Sequence, residues 1–244
     1  MKRLLWLLSI LTTTLIAQEE PTTVDRSLEF AKGHETFRNV SFKLHEEEYV
    51  RLVKEGQTPK TLMISCSDSR VIPELISSSN PGQLFVIRTA GNFVPKNEGD
   101  KTDDGVSATI QYAIAVLNIT DIIVCGHSNC GAVDGLFSTD PKLAKLTVLG
   151  RWLRWGEEAK KFTLLTVKAT AAPDKRNRIA EHVSVIYQLE HLLSFPFVKQ
   201  RVDEGKLFLH GWYFDIASGQ VNYYDPRTYK FEPLLLSRAA GIAE

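Results

Sequence analysis

The sequence predicts an α/β fold, with a central, mostly parallel β-sheet flanked by helices. Three observations predict it. Short runs of Val, Ile and Leu recur at strand length, without the polar alternation of a half-exposed sheet. Between them lie segments whose apolar residues recur at helical spacing. Two of the runs end in reactive side chains, and ligands gather outside the carboxyl ends of strands in such sheets.

Taken in order, residues 1–17 stand apart. Met1-Lys2-Arg3 supplies positive charge, and Leu4 to Ile16 is an apolar run broken only by Ser9 and three threonines. Ala17 then precedes the polar Gln18-Glu19-Glu20. That is the layout of a signal peptide, too short for a membrane span, and it predicts a periplasmic or secreted protein with no stable membrane anchor after cleavage. Residues 18–244 read as a single domain, because a chain of 244 residues that is 43% hydrophobic can bury a full core.

Thr61–Ser65 and Leu84–Ile87 are the first two strand-length runs, each after a Pro-containing turn. From about Thr102 to Leu117, the residues Val106, Ile110, Ala113, Ile114 and Leu117 recur at helical spacing. Asp121–Cys125 is the third strand. Helical stretches are expected over Leu143–Glu158 and Arg176–Leu193. A later strand carries Phe208, His210, Trp212 and Phe214 on one side, and Gly219 turns it towards Val221–Tyr224. The polar stretch Val94 to Gly105 reads as one loop. Lys and Arg together equal Asp and Glu at 29 each, which excludes the clustered basic excess of a nucleic-acid binder.

The first strand leads into Cys66-Ser67-Asp68-Ser69-Arg70. In an extended chain Cys66, Asp68 and Arg70 share a face. The third leads into Gly126-His127-Ser128-Asn129-Cys130-Gly131, where glycines bracket a turn and His127 and Cys130 can face one point. Two thiolates and an imidazole suit Zn²⁺ and leave one tetrahedral position open, the mark of a catalytic site. Water there is acidified to a pKa of roughly 7, so zinc-bound hydroxide forms at neutral pH. Arg70 is expected to orient Asp68, and Asp68 to accept a hydrogen bond from that hydroxide. Asp68 is also an alternative fourth ligand that would close the site. A Cys66–Cys130 disulfide is the competing reading, and it would leave His127, Asp68 and Arg70 without roles. Cys125 reads as a small buried hydrophobe within its strand.

These two motifs resemble the signatures of the β-class carbonic anhydrases. The resemblance extends from about Gly33 to Asp225, and includes Pro81 to Arg88 and the closing His210-Gly211-Trp212. It implies reversible hydration of CO₂ to bicarbonate and a proton, with one zinc per subunit held by Cys66, His127 and Cys130. Asp68 and Arg70 would be the catalytic pair. It also implies sites built at the interface of a homodimer, or of a tetramer made of dimers. Gln57, Phe85 and Tyr112 fall where plant-like members carry substrate-pocket residues, the glutamine to hold a substrate oxygen and the aromatics to keep the pocket apolar. Another branch of the family is closed by bicarbonate held on a tryptophan–arginine–tyrosine trio. Here those positions are Met63, Arg88 and Phe214, so no such lock is expected. Thr89 stands where many relatives carry asparagine. Two rivals remain at this stage: hydrolysis of carbon disulfide or carbonyl sulfide on the same scaffold, and a non-catalytic zinc module.

Overall fold

The computed structural model describes residues 25–236, apart from 100, 101, 103 and 169. The apolar segment Leu4–Ile16 and the expected cleavage after Ala17 lie outside them. Among the described residues no helix is long and apolar enough to cross a membrane. The chain falls into two compact units that divide after Glu46. The first carries the helix Ser27–Thr36, a wider-wound turn Phe37–Ser41 and the short helix Phe42–Leu44, none of which buries a residue. The second carries the sheet.

Among the described residues six strands form that sheet: β1 (Thr61–Cys66), β2 (Leu84–Thr89), β3 (Asp121–His127), β4 (Phe208–Phe214), β5 (Val221–Asp225) and β6 (Lys230–Pro233). Their spatial order is β2-β1-β3-β4-β5-β6. The first four are parallel, and β5 and β6 close one edge antiparallel. From β1 the chain steps outward to β2, then returns to place β3 on the other side of β1. The strand order therefore reverses between β1 and β3, and in such sheets ligands gather outside the carboxyl ends of the strands at that point.

Apolar residues are buried on both faces, as the near-continuous runs predict. Leu62, Ile64, Ile87, Ile122 and Val124 pack on one side with Ile110, Ala113 and Ile114 of the helix Gly105–Ala115, and with Val185 and Leu192 of the helix Pro173–Leu193. Met63, Ile123 and Cys125 are buried on the other, against Leu84, Trp212 and Phe214. Asp104 caps the first of these helices by accepting the N–H groups of Val106 and Ser107.

The long helix Pro173–Leu193 comes unusually close to β3 and β4, and two glycines permit it. A Cβ on Gly126 would sit 2.6 Å from Val185 Cγ2, and one on Gly211 would sit 3.1 Å from Val185 Cγ1. The loop after β2 is tied to the same helix: Val94 N–H donates to Gln188 Oε1 at 2.7 Å, and His191 Nδ1 meets Val94 O at 2.7 Å.

Three expectations change. The stretch Leu143–Glu158 is not one helix but Pro141–Ala144, Thr147–Leu153, a tight turn Arg154–Gly156 and a new helix Glu157–Thr166. Gly156 sits at the break, where any side chain would press into Phe93 and Leu136. The sheet gains β6, which its composition does not announce. Third, the chain does not stay extended past Cys66, because Val71 N–H returns to Asp68 O at 3.0 Å and makes a turn.

Candidate metal centre and its carboxylate–guanidinium pair

β1 and β3 deliver Cys66 and His127 to the carboxyl edge of the sheet, each as the last residue of its strand. Asn129, in the left-handed region at φ 57°, then bends the chain so that Cys130 comes back beside them. One ligating atom from each of Cys66, His127 and Cys130 lies within 4.8 Å of the others, and all three residues are buried. The three cysteines of the described chain are free thiols, so the Cys66–Cys130 disulfide is not formed.

Hydrogen bonding prepares each donor. His127 Nδ1 lies 2.9 Å from Ser128 O, an acceptor only, so this nitrogen carries the proton. Nε2 then presents its lone pair, and it is buried without a hydrogen-bond partner. An orphaned imidazole nitrogen beside two sulfurs is what a metal ligand leaves behind. The Cys130 thiol pulls Cys66 below its ordinary value, helped by His127 and by the backbone N–H groups of Asp68 and Gly91, against the opposing effect of burial. The Gly91 N–H reaches Cys66 Sγ at 3.4 Å. Cys130 moves upward, because its proton is shared with Cys66 and it is buried. Burial lowers His127, but the adjacent Cys66 sulfur more than offsets this and leaves it above its ordinary value. The set fits Zn²⁺: two soft sulfurs and one imidazole, a donor set that leaves one tetrahedral position to a further ligand.

Asp68 and Arg70 do meet, though through the turn and not along an extended strand. Asp68 Oδ1 accepts Arg70 N at 3.0 Å and Arg70 Nε at 2.9 Å, while Oδ2 accepts Arg70 Nη2 at 2.7 Å. This fork holds the Asp68 carboxyl well below the usual carboxylate range. Arg70 Nη2 also donates to Asn129 O at 3.2 Å, which links the pair to the second ligand loop. Asp68 is not part of the three-atom cluster.

The sequence marks Arg88 only as one member of a trio. Its guanidinium donates to Cys66 O at 3.0 Å and to Asp68 O at 2.7 Å, and so braces the backbone of the first motif. Met63 and Phe214, the other two positions, pack together in the apolar layer on one face of the sheet. Thr89 Oγ1 donates to Phe93 O at 3.0 Å, and the turn that follows presents Gly91 N–H to the sulfur.

The pocket residues are not gathered at this cluster within one chain. Phe85 stands opposite Leu62 in the register. Four strand steps, about 13 Å, separate that level from Cys66. Tyr112 lies beside Phe85, with ring centroids 5.9 Å apart. Gln57 is exposed in the segment before β1, at the opposite end of the strand from Cys66.

Sequence reasoning missed Glu181, which accepts the Cys130 N–H at 3.1 Å. The signal was present: Glu181 and Gln188 occupy helix positions that also carry Ala180, Val185 and Leu192 to the core, where apolar residues are the default.

A family model described as carbonic anhydrase matches residues 61–221. A carbonic anhydrase of Pseudomonas aeruginosa is 43% identical over 178 residues, which span 73% of this chain and 79% of that one. The solved β-carbonic anhydrase CcaA superposes with a TM-score of 0.81 at 35% identity, covering 86% of this chain and 100% of that one. A structure described among two tetrameric β-carbonic anhydrases of the ascomycete Sordaria macrospora gives a TM-score of 0.71 at 28% identity, with 82% and 97% covered.

Proposed function

The chain belongs to the β-class carbonic anhydrase family, and from that premise we propose that Cys66, His127 and Cys130 hold its zinc, with Asp68 and Arg70 as the catalytic pair. It is an enzyme, a lyase, that reversibly hydrates carbon dioxide to bicarbonate and a proton, with zinc as cofactor. The observation that carries the residue assignment is the convergence of three buried donors on one point while Asp68 is held to Arg70 outside them. When bound, zinc supplies an acidified water as nucleophile and a Lewis acid towards the product oxygens.

The protein groups do the rest. Asp68 is ionised at every working pH because Arg70 donates to both of its oxygens. It accepts the hydrogen bond of the attacking water and so fixes which lone pair faces the carbon. Arg70 keeps Asp68 from turning in as a fourth ligand, which would close the site. Arg88 fixes the Cys66 and Asp68 carbonyls and so sets the spacing between the ligand and the carboxylate.

Gln57, Phe85 and Tyr112 complete the substrate pocket across a homodimer, alone or as half of a tetramer. Their separation from the cluster in their own chain supports this reading, since a second copy can bring its own set alongside. Leu28, Phe30, Val40 and Leu44 of the first unit are exposed, an apolar surface that an assembly would cover. Residues 1–17 direct the chain to the periplasm or medium, with cleavage in the neighbourhood of Ala17. Chain-end sequencing of exported protein tests that. Bicarbonate does not lock this enzyme closed, since of the locking trio only Arg88 is present and it is engaged with backbone carbonyls. Crystals grown at neutral pH with Asp68 on the metal would refute this.

Stopped-flow CO₂ hydration on the mature chain, with zinc content measured alongside, tests the function. Asp68→Asn should keep full zinc and lose roughly 10- to 100-fold in rate. A zinc-loaded parent without hydratase activity would sink the reading.

A further inference from the structure

We infer that Glu181 is a positioning residue for the metal site, holding Cys130 in place through its backbone. The inference rests on the ligand assignment above. Glu181 lies on the helix Pro173–Leu193 and is only 4% exposed. Its Oε1 accepts the Cys130 N–H at 3.1 Å, and its Oε2 accepts the Tyr213 hydroxyl at 2.7 Å. Tyr213 is itself buried, on β4 directly opposite Gly126. One carboxyl group thus bridges the ligand loop to the neighbouring strand.

A buried acid is costly unless its bonds repay it, and Glu181 forms no ion pair among the described residues. The helix position would serve the core as well with Leu or Met. What the acid adds is a fixed acceptor for an amide that the sheet cannot satisfy. β3 ends at His127, so Cys130 has no strand partner, and as the residue before the helix Gly131–Gly135 it starts outside the helical ladder. Cys130 is 1% exposed, so without Glu181 its N–H would be buried and unpaired, a loss that the loop would avoid by moving.

The placement also has a frame. Gly126 lets the helix lie against β3 one residue before His127, so the helix touches the backbone beside one ligand and bonds the backbone of another. Asn177, one turn earlier, donates to Asp134 Oδ1 at 2.6 Å and holds the short helix after Cys130. The Asn177 bond fixes the helix, whereas the Glu181 bond fixes the ligand.

The test is zinc affinity by competition with a chromophoric chelator, together with the thiolate-to-cobalt charge-transfer band of the cobalt-substituted chain. Glu181→Ala should weaken zinc binding about 10- to 100-fold, whereas Glu181→Gln, whose amide oxygen still accepts the Cys130 N–H, should stay within about threefold. Glu181→Asp keeps the charge but cannot reach both partners. It should fall between them, with an altered cobalt band, and it guards against an alanine variant that fails to fold. Asn177→Ala should bind zinc as the parent does. If Glu181→Ala and Glu181→Asp bind zinc like the parent, or Asn177→Ala loses as much as they do, the positioning role is wrong while the ligand assignment stands. If the parent binds no zinc, the ligand assignment fails and takes this inference with it.

Discussion

Replacing Gly126 by alanine probes how closely the long helix and the ligand strand are matched. The added Cβ would sit 2.6 Å from Val185 Cγ2, where ordinary contact begins at 3.4 Å. Val185 is 0% exposed and β-branched, so it has neither space nor a free rotamer to retreat into. Gly126 has no positive φ, so the whole effect is steric. Overpacking of this kind costs about 1–3 kcal/mol. The same displacement pushes away the helix backbone at Glu181, whose carbonyl lies 3.7 Å from the added carbon, and so lengthens the bond to Cys130. Val185→Ala alone costs about 1.5–3 kcal/mol, from two lost methyl groups and the space they leave. With both changes the new methyl enters that space. The double variant should therefore match Val185→Ala to within about 0.5 kcal/mol, well short of the sum of the single costs. Urea unfolding at fixed protein and zinc concentration measures all three. A Gly126→Ala variant as stable as the parent, or strictly additive costs, would refute the close fit.

Other predictions concern titration and reactivity. Burial, with Arg178 adding to it, lowers His182 to about 4 from its ordinary 6.5. Between those values the unfolded chain holds the proton and the folded chain does not. This contribution is therefore intact above pH 6.5 and lost as the pH falls towards 4, by up to about 3 kcal/mol. His182→Phe keeps the ring between Tyr213 and Phe231, whose centroids lie 4.0 and 4.6 Å away, and should flatten this part of the acid limb in thermal melts. An unchanged slope between pH 6.5 and 4 would count against it. Burial also pushes the Cys125 thiol up to about 12. In a Cys66→Ser/Cys130→Ser chain it should resist a thiol reagent at neutral pH until denaturant is added, and prompt native labelling would contradict its placement. Stripping zinc with a chelator should abolish hydration and lower Tm by several degrees, reversibly on zinc return, because the ion binds only the folded site.

Much of this was legible in the residues themselves. The runs at Thr61, Leu84 and Asp121 are apolar on both faces, so they predicted a parallel sheet and placed their carboxyl ends as the site. The convergence of Cys66, His127 and Cys130 was readable because their residue types suit one metal and both motifs end strands. Other features depend on partners remote in the chain. Gly156 breaks a helix because Phe93 and Leu136 occupy the space beside it, and neither is near in sequence. β6 is four residues long with Phe231 its only large apolar side chain, and it is defined by pairing with β5. Asp68 finds Arg70 through a turn set by Val71 N–H, where an extended strand was the simpler expectation. Gln57, Phe85 and Tyr112 are marked only by resemblance, and their distance from Cys66 within one chain follows from a strand register that the sequence does not state.

The most direct test of the metal centre is zinc K-edge X-ray absorption on the active, metal-loaded chain at neutral pH. Two sulfur ligands near 2.3 Å and one imidazole nitrogen near 2.0 Å, with one further oxygen, are expected. Loss of a sulfur in each of Cys66→Ser and Cys130→Ser should follow. A shell with three sulfurs, or one with none, would contradict the account.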